Sequence, residues 1–63
     1  MKIKTVGQAK KRVYEYFKGK KAYPDKGSKI YKFDKNKKII PVFCVWIGRQ
    51  LFVVEENGKI EEL

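Results

Sequence analysis

Residues 38–55 read KIIPVFCVWIGRQLFVVE. Positions 38–47 are rich in β-branched and aromatic side chains, the composition of a strand. Gly48-Arg49 follows, a two-residue connection with glycine at its first position, which suits a hairpin turn. Positions 50–55 form the returning strand. If Gly48-Arg49 is the turn, the register follows: Trp46 opposes Leu51, Val45 opposes Phe52, Cys44 opposes Val53 and Phe43 opposes Val54. One face of the hairpin then carries Phe43, Val45, Ile47, Phe52 and Val54. The other carries Ile40, Val42, Cys44, Trp46, Leu51 and Val53. An antiparallel sheet with one solvated side alternates apolar with polar residues, and this one is apolar on both sides. Pro41 has no N–H for a ladder, so it belongs at a bulge or a strand start.

Downstream, Asn57-Gly58 is a strong hairpin signal, with Glu56 and Lys59 placed to pair across it and a short last strand at 59–63. Upstream, Lys29 to Phe33 alternates as a strand and residues 34–37 read as a turn, with Asn36 suited to the left-handed conformation. Residues 19–28 hold Pro24-Asp25 and Gly27 and read as a loop. Before them, Val6, Ala9, Val13, Tyr16 and Phe17 recur at helical intervals and form one apolar stripe. Thr5 and Gln8 have the spacing of a capping box, and Gly19 is a natural stop, so the spacing predicts a helix over 6–18. The fold class is α+β: one N-terminal amphipathic helix packed on a three- to four-stranded antiparallel β-meander, all 63 residues forming one small basic domain. A helix this short covers one sheet face. The second face calls for curling into a small barrel, self-association or a partner.

The chain holds 16 Lys and Arg against 7 Asp and Glu, a net charge of +9, with no His and one Cys. Without His there is no imidazole base to activate Cys44, which reads as an inert buried thiol. One Cys supports neither an internal disulfide nor a cysteine-based zinc site. The glutamates 55, 56, 61 and 62 match no nuclease spacing and read as charges that blunt an edge strand. No enzyme activity, cofactor or metal is therefore expected. The longest apolar run, 39–47, is far below the about 20 residues a membrane helix needs. With no charged-then-apolar leader in Met1-Lys2-Ile3-Lys4, a soluble, cytoplasmic protein with no membrane partner is expected. A chain of this length buries only about 60% of its unfolded surface, which raises the case for a homodimer.

The charge is unevenly placed. Residues 1–38 carry 14 basic and 3 acidic side chains, and residues 39–63 carry 2 basic and 4 acidic. Lys10, Lys11, Arg12, Lys18, Lys20, Lys21, Lys29 and Lys32 lie in the basic part, with Tyr23 and Tyr31 among them. Lys26, Lys35, Lys37, Lys38, Tyr14 and Phe33 extend the set. Lysines attract phosphate backbones through counterion release without any sequence motif, and aromatics beside them suit stacking on unpaired bases. Lysine outnumbers arginine 14 to 2, which argues against reading of guanine edges. The leading expectation is non-specific binding of DNA or RNA. The alternative is a small adaptor or inhibitor of phage or viral type. It would dock Trp46, Leu51 and Val42 of the spare apolar face, or its lysines, onto a protein partner, acidic where the lysines make the contact.

Overall fold

The computed structural model describes residues 2–63. Helix α1 (Val6–Tyr16) packs on an antiparallel sheet of four strands in the order β1 (Lys26–Phe33), β2 (Ile39–Ile47), β3 (Gln50–Glu55) and β4 (Ile60–Glu62). The predicted α+β meander is the fold. The sheet is open, so the second face is not covered by closure into a barrel.

The β2–β3 register is the predicted one, from Ile47↔Gln50 through Phe43↔Val54. Gly48 takes a φ of +60° in the turn. The core lies between α1 and one sheet face: Ala9 and Val13 meet Phe43, Val45, Phe52 and Val54, with Val6, Phe17, Ile47 and Ile60 around them. Strand β1 starts at Lys26, three residues before the predicted start, and Lys26↔Trp46, Gly27↔Val45 and Ser28↔Cys44 extend its pairing. The turn-forming composition of 24–28 masked this. Gly27 is there because α1 crosses β1 at that point. A Cβ on it would lie 3.0 Å from both the Cys44 carbonyl and Val6 Cγ1.

At the N-terminus of α1, Thr5 Oγ1 accepts the Gln8 N–H at 3.1 Å, as a capping box requires. Gln8 Oε1 reaches back one residue further than the motif predicts and accepts the Lys4 N–H at 2.6 Å. The helix ends before residue 18. Lys18 adopts φ 54°, its N–H bonding the Glu15 carbonyl at 3.0 Å while the Gly19 N–H bonds that of Tyr14 at 3.2 Å. This is the Schellman arrangement, with lysine rather than glycine in the left-handed position. Tyr16, the last residue of α1 and at the edge of its apolar stripe, lies outside the core and is 54% exposed, while Phe17 still packs against it.

Two further turns depart from the expected geometry in the same way. Asp34 and Lys38 close a three-residue loop through Asp34 N–H to the Lys38 carbonyl (2.8 Å), with the Lys37 N–H on the Asp34 carbonyl (3.0 Å). Glu55 and Lys59 close the other with the matching bonds, both at 2.9 Å. Each is a type I turn ending in a left-handed bulge residue. That residue is Gly58 (φ 89°) in one and Lys37 (φ 61°), not Asn36, in the other. Asp34 explains the shift, since its Oδ1 accepts the N–H of both Asn36 (2.8 Å) and Lys38 (2.9 Å). Lys59 pairs with Glu61 at 3.8 Å rather than with Glu56 across the turn.

Pro41 sits where the sheet narrows, level with the point at which β3 turns back at Glu55. Counting by twos from the closing pair Ile47↔Gln50, position 41 falls opposite 56 at a hydrogen-bonding site of the ladder. Proline has no N–H to give, and the β2–β3 pairing stops at Val42↔Glu55. The Glu56 carbonyl instead accepts the N–H of Ile3 at 2.7 Å, which seats Ile3 in the core at 4% exposure.

Candidate nucleic-acid interface

Beyond Pro41 the structure is a two-stranded arm. Residues 31–33 of β1 pair with 39–41 of β2, and β3 no longer lies alongside. Strand alternation places Lys29, Tyr31 and Phe33 on one face of β1, with Ile39 and Pro41 across from the two aromatics. Tyr31 is 63% exposed, Phe33 70% and Ile39 64%. Lys29 Nζ stands 5.6 Å from the Tyr31 ring centroid. Lys32 is exposed on the opposite face, and Lys35, Lys37 and Lys38 are exposed at the tip. The arm's one carboxylate, Asp34, is engaged by the turn's own N–H groups.

A second basic group follows α1. Lys18 and Lys20 are exposed there, and Tyr23, half exposed, lies against Tyr14 with ring centroids 5.3 Å apart. Lys21 is held back: its Nζ donates to Gln50 Oε1 at 3.2 Å and sits 5.2 Å from the Phe17 ring centroid. On the helix itself, Lys11 is exposed, while Lys10 is half-buried with its stem beside Gly27. Arg12 is also held back, its Nε donating to the Gly58 carbonyl at 3.0 Å, with its guanidinium 5.9 Å from the Tyr16 ring centroid. Arg12 and Lys21 tie the helix and the following loop to distant turns, which is structural work. A shallow concavity of about 210 Å³ is lined by Lys2, Ile3, Gln8, Lys11, Arg12 and Glu15.

The residues expected to dock a partner fare unequally. Val42 is fully buried, and Cys44 is 8% exposed. In the register Val42 is flanked by Ile30 and Glu55, and Cys44 by Ser28 and Val53, and these neighbours shield them without any second layer. Trp46 and Leu51 remain half-buried, with Lys26 Nζ 5.8 Å from the Trp46 ring centroid. Val42 therefore offers no contact surface. On the second apolar face only Val42 and Cys44 are buried; Ile40, Trp46, Leu51 and Val53 are half-buried and Ile30 is exposed.

Among the described residues the one ion pair is Lys59–Glu61. No basic side chain of residues 2–38 is paired with a carboxylate. No group of three or more His, Cys, Asp or Glu side chains lies close enough to hold a metal ion among the described residues. No helix among them is long and apolar enough to cross a membrane. Phe33, Ile39 and the tip lysines are the surface that the sequence alone ranks too low. The alternation of Lys29, Tyr31 and Phe33 is visible in it, but their exposure depends on how far along β1 the core under α1 extends. Comparison with family models, with curated proteins and with solved structures found no match.

Proposed function

We propose that the protein binds nucleic acid non-specifically through lysine–phosphate attraction. The observation that carries this reading is the unneutralised charge of the N-terminal part. Fourteen of the 16 basic residues lie within residues 1–38, and none of those described is paired with a carboxylate. Like charges held close together repel one another, and a polyanion relieves that repulsion while releasing its own counterions. The reading is favoured over a protein-docking sheet face because Val42 and Cys44 are buried there and a lysine ammonium overhangs Trp46. The lysine-rich surfaces, by contrast, carry exposed aromatics.

Fluorescence anisotropy of labelled 20-nucleotide strands and duplexes, titrated across salt concentrations, tests it. Neutralising about four phosphates gives a log–log salt slope of about −3 on single strands and about −4 on duplex. Absence of binding to either at low ionic strength would refute the proposal.

A further inference from the structure

The β1–β2 arm brings together features that the phosphate-binding reading does not use. Residues 29–41 carry five lysines and one aspartate, yet this most charged stretch also holds Tyr31, Phe33 and Ile39, three of the most exposed large apolar side chains. Lysines alone would suffice for phosphates. Exposed aromatic rings on a free-standing ribbon cost solvation and serve nothing in the core, since neither Tyr31 nor Phe33 belongs to it.

We infer that the arm is a stacking platform for unpaired bases, with Tyr31 and Phe33 each receiving a base while Lys29, on the same face, and the tip lysines hold the phosphates. The inference rests on the nucleic-acid reading above and narrows its ligand to single-stranded segments. Side chains two residues apart on one strand face are separated by about 6.8 Å. Bases in a duplex strand are stacked at about 3.4 Å, half that distance, and offer no free faces to two rings so spaced. An extended single strand places successive bases on both. Phe33 lies opposite Ile39, and Tyr31 opposite Pro41, so each ring has a firm apolar neighbour, and β3 has already turned back at Glu55 before this level. Stacking tolerates any base, which matches a lysine-rich surface poor in arginine.

The test uses the full chain with dT20, U20 and a 20-base-pair duplex as probes, and compares wild type with Y31A/F33A and with F33W. Both rings are well exposed, so Y31A/F33A is expected to keep the wild-type melting curve by circular dichroism. It should bind dT20 and U20 at least about 30-fold more weakly, at about fivefold or more per lost stack, with an unchanged salt slope and little loss on duplex. F33W should retain or exceed wild-type affinity for the single strands. Tighter binding of one single strand than the other identifies a DNA or an RNA source, and either supports the inference. Wild-type single-strand affinity in Y31A/F33A overturns it while leaving lysine–phosphate binding standing, whereas absence of binding by the wild type removes both. If Y31A/F33A instead abolishes a dimer seen by sedimentation and leaves single-strand affinity intact, the arm is an interface between copies and the inference fails.

Discussion

Ile3 lies outside every secondary-structure element, yet it is 4% exposed and belongs to the core cluster. Its place follows from Pro41, whose missing N–H leaves the Glu56 carbonyl free to accept the Ile3 N–H. Replacing Ile3 by alanine keeps that backbone bond and removes three buried carbons. At about 0.8 kcal/mol per buried methylene, plus a term for the cavity, the loss is about 3 kcal/mol. A 63-residue domain has a total stability of only about 3–9 kcal/mol, so I3A removes a third or more of it. The melting temperature should fall by about 12–24 °C. I3V should cost about 0.5–1.5 kcal/mol. Urea denaturation followed by Trp46 fluorescence measures both, with a lower midpoint and an unchanged slope. A loss below about 1 kcal/mol for I3A would show that the segment before α1 is not part of the core and would refute the place assigned to Ile3.

Lys18 and Lys37 hold left-handed backbone angles that glycine adopts without penalty, so K18G and K37G should each stabilise the fold by about 0.5–1 kcal/mol in urea titrations; destabilisation by either would contradict the turn geometry. R12A should lower stability by about 1 kcal/mol by removing the bond to Gly58. The exposed pair K11A/K20A should leave stability unchanged and weaken oligonucleotide binding, flattening the salt slope by one to two units as measured by anisotropy. Cys44, buried beneath its sheet neighbours, should react with a thiol reagent slowly in the folded protein and quickly in denaturant, and fast labelling of the folded chain would refute its burial.

The β2–β3 hairpin was legible because Gly48-Arg49 admits one register, and a slip by one residue would exchange both faces. The helix was legible from its period, but not its end. Tyr16 fits the stripe by angle only at its edge, and lies outside the core although Phe17 after it does not. The chemistry of the two bulged turns was visible in Asp34 and Asn57-Gly58. Which residue takes the left-handed position depends on side-chain-to-backbone bonds that spacing does not show. Among the candidate contacts, composition alone ranked Arg12 and Lys21 with the free lysines, and only their partners Gly58 and Gln50, distant in sequence, separate them.

By itself the sequence determined the local elements and the charge. Hydrophobic period, turn chemistry and the count of lysines are properties of neighbouring residues, and they yield an α+β meander with a polycationic N-terminal part. Exposure is not such a property. Val42 and Phe33 are both apolar strand residues; one is fully buried and the other 70% exposed. The difference arises because Val42 lies in a central strand between Ile30 and Glu55, whereas Phe33 lies near the end of an edge strand, beyond the core cluster that α1 covers. Only the tertiary structure decides which strands lie side by side at a given level. It thereby turns a lysine-rich segment into an arm whose aromatic rings face solvent.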